Sequence, residues 1–238
     1  RFPVMVAHAL RREGYEVYCL GIKHHADADA LRAVAHDYSE VGVAKLGAAI
    51  RYFRRNRVEL ATMAGKIFKT RLLDRFAILK HLPDWRCIRA FWHVLVTRRK
   101  DGRDDTLLLT VIDAFAEDHI RFAPATDFAP ELLVKEGHLG GPPLTAAQRR
   151  DVQFGWKAAK EMGRLDIGQS VCVKNEIVIA VEAIEGTDEC IRRAGALCKQ
   201  GGFAVVKVAK PQQDMRFDVP TIGMGTLEQI VAAGGKVL

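Results

Sequence analysis

The apolar positions in the first half of the chain alternate between helical spacing and short continuous runs. Pro3 is followed by apolar residues at helical intervals, which predicts a helix with proline in its first turn. Short apolar runs bounded by glycine or polar residues predict buried strands between such helices. The elements predicted after the first helix are a strand at 16–22, a helix at 44–55, a strand at 59–64, a helix at 104–115 and a strand at 120–123.

This alternation of strands and helices is typical of a parallel, doubly wound α/β sheet. Such a domain normally begins with a strand and a glycine-rich turn, whereas this chain begins with the helix that should follow them. We therefore predict an N-terminal Rossmann-like parallel α/β domain whose first strand and phosphate-binding turn are missing before Arg1.

The second half is predicted to form a separate C-terminal α/β domain. Residues 124–143 are rich in proline and glycine, which favours a loop and places the domain boundary near residue 140. We predict a Rossmann-like domain over 1–140 and a catalytic domain over 141–238. The elements predicted beyond the boundary are a helix at 146–162, strands at 170–173 and 177–181, a helix at 188–199, a strand at 203–208 and a helix from Thr226.

The net charge of +7 comes mostly from clusters of arginine and lysine in the first half. Nucleic acid, an anionic membrane surface and a phosphorylated metabolite all suit this charge, and so do ordinary solvated helix faces. Between Lys66 and Lys100 the pattern predicts helix, and aromatic residues are interleaved with basic ones. This pattern suits a lipid headgroup boundary, a nucleic-acid surface or the core side of amphipathic helices. The aromatic residues are Phe68, Phe76, Trp85, Phe91 and Trp92.

Cysteine, histidine and hydropathy patterns narrow the possible classes of protein. The five cysteines form no C-x-x-C pair, which argues for reduced thiols in a cytoplasmic protein and against a zinc site. The eight histidines show no metal-ligand spacing, so we expect any metal to be a hard cation bound by carboxylate oxygens. No apolar run in the sequence is long enough to span a bilayer.

A first polar cluster, Glu185-Gly186-Thr187-Asp188, lies between a predicted strand and a predicted helix. Such a turn can direct free N–H groups at a phosphate, and Gly186 allows close backbone approach. An equally weighted alternative is structural, with Thr187 as the N-cap of the helix and Asp188 as a first-turn acid.

A second polar cluster follows the strand predicted at 203–208. Lys207 and Lys210 close this strand, and Asp214 and Arg216 follow in a short loop between two prolines. Charges of both signs at this density exceed what solubility requires, which favours a functional role for Asp214. Carboxylates, amides and two lysines at one sheet edge suit a phosphate-bearing substrate held with a divalent metal.

A third polar group precedes the strand predicted at 170–173. Asp166 and Gln169 lie at a turn beside the apolar residues Leu165 and Ile167. A capping role in the turn and contact with a ligand are equally compatible with this pattern.

These blocks resemble the UDP-2,3-diacylglucosamine pyrophosphatase of lipid A biosynthesis, in its LpxI-type rather than its calcineurin-like form. The similarity covers essentially the whole chain, and the final block is highly specific. The matching stretches are residues 129–137 (APELLVKEG), 165–169 (LDIGQ), 183–188 (AIEGTD) and 207–223 (KVAKPQQDMRFDVPTIG), together with the pair Asp104-Asp105.

The resemblance implies a two-domain cytoplasmic hydrolase that is peripherally associated with the inner membrane. Its substrate would be a lipid-linked nucleotide sugar, UDP-2,3-diacylglucosamine. Hydrolysis of the pyrophosphate, assisted by Mg²⁺ or Mn²⁺, would yield UMP and 2,3-diacylglucosamine 1-phosphate (lipid X), with attack on the phosphorus that bears the sugar. No nucleic-acid partner is expected, and formation of a homo-oligomer is left open.

The residues predicted to carry this reaction come from the polar clusters. Residues 66–100 are predicted to line the path of the acyl chains or to touch the membrane, because two long acyl chains need an apolar surface. The predicted catalytic residues are Asp214, Asp188 and Lys210; the substrate-binding residues are Gly186, Thr187, Lys207, Gln213, Arg216 and Gln169; and the metal ligands are Asp214, Asp188 and Glu185.

Two alternatives of different classes stay open at the level of the sequence. One is a basic module that binds nucleic acid or a membrane surface without catalysis, and it would show strongly salt-dependent binding without turnover. The other is a different nucleotide-sugar enzyme that uses the Rossmann-like half, although the turn such an enzyme needs is not in this chain.

Overall fold

The computed structural model describes residues 2–65, 82–96 and 104–238, which form two compact units. The first unit extends to Val134 and includes Met215–Phe217, and the second contains Lys135–Asp214 and Asp218–Leu238. None of the helices within these described ranges is long and apolar enough to cross a membrane.

In the first unit, helices and strands alternate largely as the hydrophobic pattern predicts. The elements of this unit are α1 (Phe2–Arg12), β1 (Tyr18–Ile22), α2 (Ala28–Arg32), β2 (Asp37–Val41), α3 (Leu46–Arg55), β3 (Leu60–Ala61), α4 (Trp85–Val96), α5 (Asp104–Ala116), β4 (Arg121–Phe122), α6 (Ala125–Phe128) and a 3₁₀ helix (Pro130–Leu132).

The strands of the first unit pair in parallel, β1 with β2 and β3 with β4. The parallel pairing that the sequence predicts is therefore confirmed for these two pairs. Burial of apolar side chains holds the strands against α3 and α5. Ile50, Phe115 and Ile120 lie in this core, and the rings of Phe115 and Phe122 meet edge to face with centroids 5.2 Å apart.

Some elements of the first unit have no counterpart in the sequence prediction. Strand β2 buries only Val41, so it lacks the apolar run by which a buried strand is recognised. The segment 124–143, predicted as a loop, contains α6 and the 3₁₀ helix. Of the helical segment predicted at 66–100, α4 is confirmed, whereas residues 66–81 and 97–103 lie outside the described residues.

In the second unit, a three-stranded sheet is covered by helices on both faces. Its elements are α7 (Ala146–Arg164), β5 (Ser170–Lys174), β6 (Ile177–Val181), α8 (Thr187–Leu197), β7 (Ala204–Lys207) and α9 (Met224–Ala232). The predicted strands and helices of this half are confirmed with small shifts at their ends. The strand order is β6-β5-β7, and both neighbouring pairs are antiparallel.

Side chains of the central strand alternate between two cores, as the period of a strand requires. Val171 and Val173 pack with Ala159 of α7 on one face. Cys172 packs with Cys190 and Ile191 of α8 on the other. Because both faces of β5 are buried, its sequence is a continuous apolar run rather than an alternation of apolar and polar residues.

Candidate functional site

The antiparallel order brings two polar segments to the same edge of the second unit's sheet. Val181, the last residue of β6, pairs with Val171, and Lys207, the last residue of β7, pairs with Ser170. Because β6 and β7 both run opposite to β5, they end at the edge where β5 begins. Residues 182–188 and 207–214 therefore both begin at this edge of the sheet, which we call the polar edge.

A network of hydrogen bonds occupies the inner side of the polar edge. The hydroxyl of Thr187 donates to Oε1 of Glu182 at 2.9 Å, and Nζ of Lys207 donates to Oγ1 of Thr187 at 3.1 Å. Nζ of Lys207 also donates to the carbonyl oxygen of Thr221 at 2.8 Å, and Oγ of Ser170 lies 3.4 Å from Oγ1 of Thr187. The lysine is thus held by specific acceptors, unlike a freely solvated surface lysine.

Glu182 is the buried anion of this network, and the sequence analysis did not predict it as a site residue. The residue is only 8% exposed, and its Oε2 atom is buried without a hydrogen-bond partner among the described residues. A buried carboxylate is costly unless an opposite charge or hydrogen bonds compensate it. Here the hydroxyl of Thr187 bridges the Glu182 carboxylate and the ammonium group of Lys207. The available signal was an acid placed directly after the apolar strand β6.

The backbone around Glu182 is closely packed against the turn that precedes β5. A Cβ atom on Gly168 would lie 2.0 Å from the carbonyl oxygen of Glu182, so only glycine fits there. This contact places Gln169, one of the predicted substrate-binding residues, beside the polar edge. The carbonyl oxygen of Gln169 accepts a hydrogen bond from the N–H of Val208 at 2.9 Å.

Helix α8 begins at the polar edge with Gly186 as its N-cap, at a φ of 87°. Of the structural alternative, the N-cap role of Thr187 is therefore wrong, since Thr187 is the first residue of the helix and its hydroxyl donates to Glu182, whereas the first-turn position of Asp188 is confirmed. Asp188 lies exposed in the first turn, where it interacts favourably with the helix dipole. The free N–H groups of this helix end suit an anion.

Glu185, predicted as a metal ligand, forms an ion pair with Arg193. Desolvation raises the pKa of the Glu185 carboxyl, but hydrogen bonds from the backbone and from Arg193 outweigh it and hold the pKa below its usual value. The guanidinium of Arg193 also donates to the carbonyl oxygen of Val181 at 2.6 Å. This arrangement ties Glu185 to α8 and the end of β6.

Beyond β7, hydrogen bonds fix the turn that leads to Asp214. Nζ of Lys210 forms an ion pair with Oδ1 of Asp166 at 2.6 Å, and the two side chains are 15% and 25% exposed. The N–H of Lys210 donates to Oε1 of Gln213 at 2.7 Å, and Nε2 of Gln213 lies 3.5 Å from Oε1 of Gln169. Asp214 follows directly and is half-buried.

The structure places most of the predicted site residues in the second unit, around the polar edge. Arg216 instead belongs to Met215–Phe217, which group with the first unit. Within the described residues, no three His, Cys, Asp or Glu side chains are arranged to hold a metal ion, so Asp214, Asp188 and Glu185 do not form a group of three. The predicted residues around the polar edge are Gln169, Glu185, Gly186, Thr187, Asp188, Lys207, Lys210, Gln213 and Asp214.

Fold and site together define a protein of mixed helix and strand, with two lysines, carboxylates and a helix N-terminus at one edge of its second unit. Two family models match this chain: residues 1–132 match the LpxI N-terminal domain, and residues 135–238 match the LpxI C-terminal domain. The chain therefore belongs to the LpxI family.

A similar protein comes from Caulobacter vibrioides (strain ATCC 19089 / CIP 103742 / CB 15). It is named UDP-2,3-diacylglucosamine pyrophosphatase LpxI and is 29% identical to this chain over 239 residues. The similarity covers 98% of this chain and 81% of the relative. The resemblance inferred from the sequence motifs is thus confirmed.

Proposed function

We propose that this protein hydrolyses the pyrophosphate of UDP-2,3-diacylglucosamine to UMP and 2,3-diacylglucosamine 1-phosphate. The observation that carries the proposal is the polar edge, because its lysines, carboxylates and helix N-terminus lie in the half of the chain that matches the LpxI C-terminal domain. The name of the Caulobacter relative supports the same substrate.

In this proposal, cations and N–H groups of the polar edge bind the diphosphate. Lys207 and Lys210 neutralise charge that develops on the phosphoryl oxygens, and the N-terminus of α8 presents N–H groups and a favourable dipole. Both lysines are already oriented by Thr187 and Asp166, so little side-chain freedom is lost when the substrate binds.

Asp214 is proposed to act as the general base, with Asp188 beside the phosphates. The oxygen of a water molecule forms a bond to phosphorus while one of its protons passes to the Asp214 carboxylate. The bond from phosphorus to the bridging oxygen breaks, and that oxygen leaves with the other phosphate. A positioned general base typically contributes a factor of about 10² to 10⁴ in rate.

We also propose that Mg²⁺ or Mn²⁺ assists the reaction. Protein sites commonly hold Mg²⁺ through one or two carboxylates together with substrate phosphates. This mode needs only one or two carboxylates, the role proposed for Asp214 and Asp188, whereas the described part of the chain contains no group of three His, Cys, Asp or Glu that could hold a metal ion. When bound, the metal would withdraw electrons from the phosphoryl oxygens.

The proposal is tested by phosphorus NMR with purified protein, UDP-2,3-diacylglucosamine and Mg²⁺ in ¹⁸O-labelled water. We expect the two diphosphate signals to be replaced by two phosphomonoester signals, one of them shifted by ¹⁸O, which identifies the phosphorus attacked. The same incubation with Asp214→Ala is the control for a contaminating hydrolase. Persistence of the diphosphate signals with wild-type protein would overturn the proposal.

We further propose that α4 meets the membrane surface or the acyl chains. Trp85 and Trp92 are 77% and 57% exposed, and their spacing of seven residues places them on one face of the helix, with Arg89 between them. Exposed aromatic and basic residues on one face are typical of helices at a lipid interface. Peripheral association with a cytoplasmic membrane surface would follow.

This membrane contact is tested with variants that retain only Trp85 or only Trp92, during titration with anionic vesicles. We expect a blue shift of tryptophan emission in both, and a variant that retains only Trp156, in α7, is the control. Unshifted spectra from the Trp85 and Trp92 variants in an active protein would contradict the proposal.

For the first unit, we propose a Rossmann-like arrangement. Its support is the parallel pairing of β1 with β2 and of β3 with β4, with helices between the strands. An experimental structure of the protein with UMP would test it, and antiparallel pairing of any of these strands would contradict it.

A further inference from the structure

Asp166 lies in a backbone conformation that usually requires glycine. It follows α7 at a φ of 57°, in the left-handed region. Its N–H donates to the carbonyl oxygen of Gly163 at 3.0 Å, and the N–H of Ile167 donates to that of Met162 at 3.1 Å. These two bonds define a Schellman motif, in which glycine is the preferred residue at the position of Asp166.

Other helices of the same chain hold either glycine or another residue at this position, and after α5 it is His119, at a φ of 62°. Gly14 and Gly234 occupy it after α1 and α9, with the same pair of backbone hydrogen bonds. After α3 it is held by Arg57, at a φ of 56°, which is exposed and whose side chain makes no hydrogen bond or ion pair within the described residues. Asp166 differs from Arg57 because its carboxylate is half-buried and engaged.

The carboxylate of Asp166 connects the end of α7 to the turn that carries Asp214. Its partner, Nζ of Lys210, belongs to the first residue of that turn, which is closed by a bond from the N–H of Gln213 to the carbonyl oxygen of Lys210 at 3.1 Å. A second tie comes from Nε2 of Gln212 to the carbonyl oxygen of Gly163 at 2.9 Å. The helix end and the turn are thus joined twice.

We propose that Asp166 is a positioning residue, which acts through Lys210 to orient its ammonium group and to hold the turn leading to Asp214. This inference rests on the proposed function and deepens it. A displacement of about 1 Å in a catalytic group can reduce the rate by about a hundredfold. A charged side chain that prevents such a displacement can therefore benefit activity by more than its left-handed backbone costs in stability.

The test compares Asp166→Gly with its matched control Arg57→Gly. Both changes relieve a left-handed residue at the same motif position, but only the first removes a carboxylate. We expect Asp166→Gly to lower kcat/KM at least about tenfold while its Tm stays within about 3 °C of wild type. We expect Arg57→Gly to keep wild-type kcat/KM.

Two further variants separate the charge from the backbone. Asp166→Asn tolerates the left-handed conformation and should be nearly as impaired as Asp166→Gly, whereas a merely structural role predicts near wild-type activity.

A double-mutant cycle tests whether Asp166 acts through Lys210. In the Lys210→Met background, Asp166→Asn should reduce kcat/KM by less than about twofold, because the lysine through which Asp166 acts is already absent. Full additivity of the two changes would overturn the proposal.

Amide hydrogen exchange provides a readout that does not depend on turnover. We expect faster exchange of residues 208–214 in Asp166→Gly and no change there in Arg57→Gly. If wild-type protein fails to hydrolyse the diphosphate, the proposed function is wrong, and the exchange data still decide whether Asp166 holds the turn. If hydrolysis is normal in both Asp166 variants, or exchange is unchanged, the positioning role is wrong while the function stands.

Discussion

Ion pairs of similar length lie in very different surroundings when exposed pairs of the first unit are compared with the pair of Lys210 and Asp166 in the second. In the first unit, arginines of α3 and α4 pair with acids that follow α5, and two of these pairs are Arg89 with Glu117 at 2.6 Å and Arg54 with Asp118 at 3.1 Å. Both side chains of the Arg89 pair are more than half exposed. In the second unit, the pair of Lys210 and Asp166 is mostly buried. In the first unit, the pair of Arg86 and Asp118 is buried to a similar degree.

The exposure of an ion pair determines how much it contributes to the stability of the fold. Exposed ion pairs contribute about 0–1 kcal/mol, because solvent screens them and ordering two long side chains costs entropy. Burying charge is expensive, and a well-packed apolar pair is often equally stable. Glu182, Lys207 and the pair of Asp166 and Lys210 are therefore poorly explained by stability alone. Their position at the polar edge fits the proposed function.

The largest effect is expected when the proposed general base is removed. We expect Asp214→Ala to lower kcat by at least about a hundredfold, because both proton acceptance and a candidate metal contact are lost. The thermal stability should change little. Glu228→Ala, which removes an exposed carboxylate from α9 in the same unit, is the control. Near wild-type kcat in Asp214→Ala would contradict the assignment.

The next largest effect should come from the two lysines. Lys207→Met and Lys210→Met keep most of the apolar stem and remove the cation, so each should lower kcat/KM at least about tenfold at low ionic strength. Each also leaves a carboxylate without its cation, and we expect a loss of about 1–3 kcal/mol in the free energy of unfolding.

Kinetic assays and urea denaturation measure the two effects of the lysine changes separately. The exposed Lys199, replaced in the same way, should change neither quantity. If Lys207→Met and Lys210→Met behave like Lys199→Met, the two lysines are surface charges, and the charges of the polar edge are no more consequential than exposed ones.

How much of the fold the sequence could predict depends on whether an element carries its own signal. The strands of the second unit are short apolar runs, which predict their existence but not their partners. One local signal for the antiparallel order was present, since only Asn175 and Glu176 separate β5 from β6, both with positive φ. A two-residue loop is typical of a hairpin, whereas a parallel crossover needs a dozen residues or more.

The candidate site was predictable to a similar extent. Polar clusters directly after strands pointed to Thr187, Lys207 and Lys210, because strand ends are fixed by the sheet. The partner of Lys210 could not be read from the sequence, since Asp166 lies 44 residues away and is brought close only by the packing of α7 on the sheet. The role of Glu182 likewise depends on burial that only tertiary structure creates.

A smaller effect is expected when the buried anion is neutralised. Glu182→Gln keeps the shape of the side chain and can still accept the hydrogen bond from Thr187, but it removes the charge near Lys207. We expect kcat/KM to fall by about three- to tenfold with less than about 1 kcal/mol change in unfolding free energy. A large loss of stability with unchanged kcat/KM would show that Glu182 serves the fold rather than the site.

The smallest effect should come from the first unit, where Arg54→Met removes one exposed partner of Asp118. The arginine side chain is 65% exposed, so its charge is well screened, and Asp118 keeps Arg86 as a second partner. We expect the free energy of unfolding, measured by urea denaturation, to fall by less than about 1 kcal/mol, and kcat/KM to stay at the wild-type value. Raising the salt concentration should shrink even this difference, because the Debye length falls to about 3 Å at 1 M. A loss above about 2 kcal/mol, or a tenfold fall in kcat/KM, would mean that charges of the first unit are as consequential as those of the polar edge.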